Sequence, residues 1–287
     1  MDILVSGFLL AGTYVLIAMG LTLQYGVARI MNLANGEVLI AGALAAFWLS
    51  TNAEISPLIT ILLLAPTAFA VNWLIYKILL RPLVKRSKSR GQLEVDSILA
   101  TFGLSFIMVG LMLVVHGEFY TYEFLSQPIT ILGSIVAMNR FIAFILAVLV
   151  AISLYFWLNH TRAGSALRAV AVSPQAAGLV GIDVPRVAAI AFALGGSVTA
   201  IGGALISTFI TLDGSVGVVF TMKALIIVIL GGVGDIRGAV FAALILGIVE
   251  TSVATLIDPG LTLAAAYLIF VLILLFRPQG LFGRRPT

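Results

Sequence analysis

Between residues 20 and 37 the chain reads Gly20-Leu-Thr-Leu-Gln-Tyr-Gly-Val-Ala-Arg-Ile-Met-Asn-Leu-Ala-Asn-Gly-Glu37, and this stretch interrupts an apolar run that starts at Ile3 and resumes at Val38. Lys223-Ala-Leu-Ile-Ile-Val-Ile-Leu-Gly-Gly-Val-Gly-Asp-Ile-Arg-Gly238 interrupts a second apolar run in the last third. Two readings fit both stretches. In one, each is a turn at the membrane surface, with glycine stopping a helix and Asn32, Asn35 and Asp235 capping the ends. In the other, the backbone leaves the helix inside the bilayer, which is tolerated only where protein or a water-filled cavity satisfies the freed groups. A pair of such breaks in two halves of a chain points to a transport site near the midplane. The cluster Gly231-Gly232-x-Gly234 is denser than a helix stop requires.

The bilayer enters through composition. Of 287 residues 61% are apolar and 10% are charged, against roughly 45–50% and 25% in soluble domains. Apolar runs lie at Ile3 to Leu23, Val38 to Ser50, Pro57 to Leu80, Ser97 to Val115, Phe141 to Leu158, Val187 to Ile210, Val216 to Leu230, Ala239 to Leu256 and Leu261 to Phe276. A helical span needs about 20 residues. Six runs meet that length, while those at Val38, Val216 and Leu261 are shorter. The expected fold is an all-α polytopic membrane protein of about nine membrane segments, short broken helices among them, in one domain over 1–287. The glycine pairs Gly195-Gly196 and Gly202-Gly203 on one run suit close helix packing in lipid.

Lys and Arg mark sidedness, because short cytoplasmic loops collect them. Arg81, Lys85, Arg86, Lys88 and Arg90 follow the third run; Arg162, Arg168 and Arg186 follow the fifth; Arg277, Arg284 and Arg285 follow the last. Nine crossings put all three clusters on the cytoplasmic side, with the amino terminus outside and the carboxyl terminus inside. Glu118, Glu123, Asp213 and Asp258 then face out. The first run lacks a basic segment before it and is expected to be retained. The net charge of +4 is read as topology rather than as affinity for nucleic acid. The outer connection from His116 to Arg140, with Tyr120, Tyr122 and the β-prone stretch from Ile129 to Val136, fits a small hairpin or a partly inserted segment.

Catalytic chemistry finds no foothold. There is no cysteine, and His116 and His160 stand far apart, so no metal site is expected. No H-E-x-x-H, G-x-S-x-G or Walker A pattern occurs, since none of the lysines follows a glycine. Glu94 and Asp96 sit in a basic loop and are expected to be solvated. Charges in or near membrane runs, Glu37, Lys223, Asp235, Arg237 and Glu250, are functional candidates, with snorkelling or capping as the structural alternative for each. Trp48 and Trp157 read as interfacial belt residues. For the solute path the candidates are Asn32, Asn35, Gly36 and Glu37 from the first break and Gly231, Gly232 and Gly234 from the second. Thr101 and Ser105, one turn apart on a helix, are expected to face them. Without an ATPase motif the chain is a gradient-driven transporter, a channel, or the membrane half of a machine whose motor is another chain.

The segment from His160 to Arg186 is too long for a turn, and Ser173-Pro174 reads as an N-cap and first-turn proline opening a short helix that Gly181 stops. Small residues on that helix suit docking into another protein's cleft; an interfacial helix lying on lipid is the alternative. Gln175-Ala176-Ala177-x-x-x-Gly181 resembles the E-A-A-x-x-x-G signature in the cytoplasmic loop of ABC importer permeases, with Gln in place of Glu and without a clear I-x-L-P tail. Gly26-Val-Ala-Arg-Ile-Met-Asn-Leu-Ala-Asn-Gly-Glu37, Ala100-Thr-Phe-Gly-Leu-Ser105, Thr161-Arg-Ala-Gly-Ser-Ala-Leu-Arg-Ala-Val170, Val228-Ile-Leu-Gly-Gly-Val-Gly234 and Phe276-Arg-Pro-Gln-Gly-Leu-Phe282 extend the match. Together they resemble the branched-chain amino acid permease family of ABC importers over nearly the whole chain.

That resemblance implies a bacterial inner-membrane subunit working with a second, related permease, two cytoplasmic ATPases and an extracytoplasmic solute-binding protein. ATP would be used by the partner subunits, with no cofactor in this chain. Arg168, Gln175, Ala176, Ala177 and Gly181 would couple to an ATPase. The solute would be a branched-chain or related neutral amino acid, its ammonium met by Glu37 and its carboxylate by freed glycine N–H groups. A stand-alone secondary transporter or facilitative channel for a small polar solute is the alternative.

Overall fold

The computed structural model describes residues 1–116, 119–120, 124–213, 215–277 and 279–282. Its helices are α1 (Asp2–Ala28), α2 (Asn35–Asn52), α3 (Pro57–Ile75), α4 (Arg81–Arg86), α5 (Arg90–His116), α6 (Met138–His160), α7 (Arg162–Val172), α8 (Pro174–Leu179), α9 (Val184–Ile206), α10 (Gly217–Gly231), α11 (Ile236–Leu256) and α12 (Thr262–Phe276). A π turn, Tyr76–Leu80, joins α3 to α4 into one rod. Each of the nine apolar runs falls on one of these helices. Among the described residues seven can cross a membrane by length and composition: Asp2–Ala28, Pro57–Arg86, Gly91–Val115, Met138–His160, Val184–Ile206, Ile236–Leu256 and Pro259–Phe276. The last of these, expected to be short, gains its length from the 3-10 turn Pro259–Leu261. The two remaining runs are α2 and α10.

Helices α1 and α9 form the centre. Both are apolar around most of their circumference, the pattern of a helix buried on all sides. Helix α9 packs against α1, α2 and α3, and α1 also packs against α6 and α11. The glycine pairs of α9 do what their spacing predicts: Gly195 lies against the Gly20 backbone, Gly196 against Asn72, Gly202 against Leu16 and Gly203 against the Leu39 backbone. Larger residues there would force the helices apart.

Chain direction sorts the connections into two ends. One end carries the start of α1, the start of α6, the turn after α9 and Pro259–Leu261. It also carries a hairpin of β2 (Pro128–Ile131) and β3 (Ser134–Ala137), and the pair formed by β1 (Phe119–Tyr120) with β4 (Leu212–Asp213). The hairpin sits in the predicted β-prone stretch, and its turn residues Leu132 and Gly133 have φ of 50° and 82°, the positive pair that a two-residue hairpin turn needs. The opposite end holds the end of α1, α4, α7, α8 and the turn between α10 and α11. Arg81, Lys85, Arg86, Lys88, Arg162, Arg168, Arg186 and Arg277 gather there. Glu118, Tyr122, Glu123, Arg284 and Arg285 lie outside the described residues.

Candidate functional site: a buried break between two helix starts

Helix α1 ends at Arg29, in the left-handed conformation (φ 57°), whose N–H bonds the Tyr25 carbonyl at 3.1 Å. Residues 30–34 then run back along the bundle without helical bonding until α2 begins. The Asn35 amide nitrogen reaches the Ile17 carbonyl at 3.5 Å, so α2 starts level with the middle of α1 rather than at its end. The freed backbone is satisfied by other helices. Met31 N–H donates to Ser97 Oγ at 3.3 Å and Leu33 N–H to Thr101 Oγ1 at 3.0 Å, both on α5. The Leu33 carbonyl accepts from Thr221 Oγ1 of α10 at 3.2 Å. This is backbone held open inside protein, the condition for a break at membrane depth.

Buried amides brace the break. Asn32 donates to Gln24 Oε1 at 2.9 Å and accepts the Ala34 N–H at 3.0 Å, and Gln24 donates in turn to the Phe192 carbonyl at 3.2 Å. Asn35 Oδ1 accepts from Thr199 Oγ1 of α9 at 3.0 Å. Gly36 N–H donates to Thr221 Oγ1 at 2.8 Å, and a Cβ at position 36 would run into the Gly217 carbonyl and the Thr221 hydroxyl. The starts of α2 and α10 therefore meet at Gly36 and Gly217.

Glu37 sits at that meeting point. It is fully buried, its carboxylate lies against Gly217, and among the described residues neither of its oxygens has a hydrogen-bond partner. As the third residue of α2 and the neighbour of the first residue of α10, it lies where two helix starts present partial positive charge. The carboxylate keeps all its acceptor capacity, so a cation or an ammonium entering here would find an unused ligand.

Thr101 meets the break through the Leu33 N–H, while Ser105 hydrogen-bonds the Phe102 carbonyl of its own helix at 2.8 Å. Ser97, one turn the other way, takes the role expected of Ser105. Gly231, Gly232 and Gly234 lie elsewhere: they end α10 about 21 Å along its axis from Gly217, in a turn where Gly232 and Gly234 have φ of 103° and 81°. Asp235 caps α11 through the Gly238 N–H at 3.0 Å. Leu281 and Phe282 N–H groups satisfy the Leu230 and Gly231 carbonyls at 2.7 and 3.1 Å. The second stretch thus takes the surface-turn form and the first the buried form. The residues that sequence reading missed are Gln24, Ser97, Thr199, Gly217 and Thr221. Ser97 with Thr101 and Gly217 with Thr221 each stand four apart on a helix, a one-face signal present in the sequence.

At the basic end, Thr161 caps α7 through the Gly164 N–H at 3.0 Å, and Ser173 caps α8 through the Ala176 N–H at 3.2 Å with Pro174 in the first turn. Gly181 follows with φ 83°, the left-handed conformation that an L side chain resists. Gln175, Ala176 and Gly181 are exposed, while Ala177 is buried against its own core. Leu179 and Val180 are 91% and 75% exposed beside them. Arg168 is committed within the chain, donating to Asn159 Oδ1 at 2.6 Å and to Ser165 Oγ at 3.2 Å.

The other charges are paired or peripheral. Lys223 donates to Glu250 Oε2 at 2.8 Å and to Tyr14 OH at 2.7 Å, and Tyr14 donates to the same carboxylate at 2.6 Å. Arg237 is exposed and donates to Tyr155 OH at 2.6 Å. Glu94, expected to be solvated, is half-buried and accepts from Tyr25 OH at 3.5 Å. Among the described residues no group of His, Asp and Glu is arranged to hold a metal ion.

Comparison with known proteins agrees with this architecture. The family model described as branched-chain amino acid transport system / permease component matches residues 3–276. The high-affinity branched-chain amino acid transport system permease protein LivH of Salmonella typhimurium is 28% identical over 97% of this chain and 94% of its own. BraD of Pseudomonas aeruginosa, named as the same kind of permease protein, is 28% identical over 98% and 95%. The probable branched-chain amino acid transport permease protein LivH of Methanocaldococcus jannaschii is 26% identical over 98% and 92%. No solved structure matches. With the match running from Ile3 to the end of α12, the chain is a multi-pass membrane protein that belongs to the branched-chain amino acid transport system permease family.

Proposed function

We propose that the chain is the membrane-spanning subunit of an ATP-driven importer of branched-chain or related neutral amino acids, and that the solute passes between the starts of α2 and α10. The observation that carries this reading is the break at residues 30–34, braced from α5 and α10 and ending at Glu37 on a carboxylate that has no partner among the described residues. Half-helix starts facing each other near mid-depth are the arrangement by which transporters hold small charged solutes. Glu37 accepts the ammonium in transit. In this reading α2, with its extended lead-in, and α10 also count as crossings, giving nine, with the amino terminus outside and the basic end in the cytoplasm of a bacterial inner membrane. A second related permease, two ATPases at the α7–α8 elbow and an extracytoplasmic binding protein complete the machine.

The elbow supports ATPase docking because it leaves Leu179 and Val180 in water beside the small residues Ala176 and Gly181, a cost that a partner surface removes. Gln175, Ala176 and Gly181 make that contact; Ala177 holds the elbow's shape from inside, and the exposed Arg168 ties α7 to the end of α6 through Asn159. Uptake of leucine into proteoliposomes tests the reading. ATP-dependent uptake by the chain assembled with its partners, absent for the chain alone, supports it; equal uptake by the chain alone identifies a stand-alone transporter instead.

A further inference from the structure

At the basic end of the bundle a cavity of about 610 Å³ opens between the rod of α3, the π turn and α4 on one side and the start of α9 on the other. That volume is within the range of small-ligand sites. Phe69, Trp73, Lys77 and Arg81 line it from the rod, and Arg186 and Ile190 from α9. The four on the rod stand four apart in sequence. In a straight α-helix each such step drifts about 40° around the axis. The π turn, in which the Arg81 N–H bonds the Tyr76 carbonyl, widens the helix, takes back part of that drift and keeps all four on one cavity wall.

Chemistry in the cavity separates by depth. Lys77, Arg81 and Arg186 are exposed at the basic end, while Phe69, Trp73 and Ile190 continue the wall toward the middle of the bundle. Lys77 Nζ stands 4.8 Å from the centroid of the Trp73 ring, where charge and apolar wall meet. From Arg81 to Phe69 the rod rises about 18 Å, a little more than half of a hydrocarbon layer about 30 Å thick. Among the described residues none of the three cations has a carboxylate partner. Asp183 at the rim gives its Oδ1 to the Arg186 backbone N–H at 3.1 Å, as the cap of α9.

We propose that this cavity holds one anionic glycerophospholipid from the leaflet at the basic end. Its phosphate is met by Lys77, Arg81 and Arg186, and an acyl chain lies along Phe69, Trp73 and Ile190. Guanidinium groups match phosphate oxygens in pairs, and basic pockets between membrane helices favour anionic headgroups. A soluble phosphate would use the cations and leave the apolar wall uncovered. An acidic protein segment would reach the rim but not the slot between two spans. A lipid covers both, and it ties the rod to the start of α9. The proposal needs only the membrane setting of the chain and stands apart from the solute it carries.

Quenching of Trp73 fluorescence by brominated lipid tests it, because bromine on an acyl chain quenches a tryptophan only at contact. The full chain with Trp48→Phe and Trp157→Phe keeps Trp73 as its single tryptophan. It is placed in phosphatidylcholine nanodiscs containing brominated phosphatidylglycerol or brominated phosphatidylcholine at equal mole fraction. The expected result is an apparent affinity at least fivefold higher for phosphatidylglycerol. Lys77→Gln, Arg81→Gln and Arg186→Gln together are expected to bring that ratio within twofold of one while Tm holds, since all three side chains are exposed. Arg186→Gln alone is expected to halve the ratio and carries the test if the triple variant unfolds. Lys85→Gln, Arg86→Gln and Lys88→Gln, at the same end but off the cavity, are expected to leave it unchanged. Equal quenching by the two lipids before these changes, an unaltered ratio in the cavity variants, or an equal loss in both sets overturns the site. Glycerol 3-phosphate at millimolar concentration and matched ionic strength is expected to relieve no quenching; relief assigns the cations to a soluble phosphate and overturns the lipid.

Discussion

The backbone N–H of Gly36 donates to Oγ1 of Thr221 at 2.8 Å, and that single bond joins the start of α2 to the start of α10 across 185 positions of sequence. Around it the chain has no room for a side chain at position 36. Gly36→Val is expected to cost about 1–3 kcal/mol through overpacking and to abolish uptake. Gly103→Ala is the control, because a Cβ there meets nothing within 4 Å. Thermal unfolding in detergent and uptake in proteoliposomes check both.

Thr101 holds the break from the other side. Thr101→Val removes the acceptor for the half-buried Leu33 N–H, an expected loss of about 1–3 kcal/mol for a donor left unmet. Thr101→Ser keeps the hydroxyl and is expected to restore most of the stability and the uptake. If Val is tolerated as well as Ser, the extended segment is not held by this bond.

Much of this arrangement is legible in the sequence, and the part that is not has a physical reason. The nine apolar runs each fall on a helix and Ser173-Pro174 opens α8, while Asn32, Asn35 and Glu37 are buried, one of the two arrangements that the first stretch left open. Which break is buried and which is a surface turn does not follow from the segments themselves, since both carry glycines and polar residues between apolar runs. The outcome depends on what crosses from elsewhere: Ser97, Thr101 and Thr221 reach residues 31–36 from helices far along the chain, whereas at the second stretch the Leu230 and Gly231 carbonyls are met by the Leu281 and Phe282 N–H groups and Asp235 caps the helix that follows. Ser97 in place of Ser105 is the same effect at the scale of one turn.

The Lys223, Glu250 and Tyr14 cluster ties α10 to α11 and α1. Lys223→Met leaves a buried carboxylate without its cation and is expected to destabilise by about 3–5 kcal/mol. Lys223→Met combined with Glu250→Leu removes both charges and is expected to recover a large share of the loss. Tm values for the single and double variants measure the coupling; additive losses would show that the pair contributes nothing as a pair.

At the elbow the expected effects divide between folding and docking. Leu179→Ser and Val180→Ser alter side chains that are already in water, so Tm is expected to stay within a degree or two while co-purification with ATPase subunits falls at least fivefold. Gly181→Leu adds strain at φ 83°, about 1–2 kcal/mol for a left-handed L residue, and is expected to lower both. Full recruitment in the two serine variants would assign the docking surface elsewhere.

The chain has no cysteine, so Thr221→Cys places a single thiol at the meeting point of α2 and α10. In the assembled importer that thiol is expected to resist a small methanethiosulfonate reagent at rest, because Thr221 is buried, and to react at least tenfold faster during ATP turnover, with leucine slowing the reaction and modification blocking uptake. A labelling rate indifferent to ATP and leucine, with uptake intact after modification, would contradict a solute path between the two helix starts.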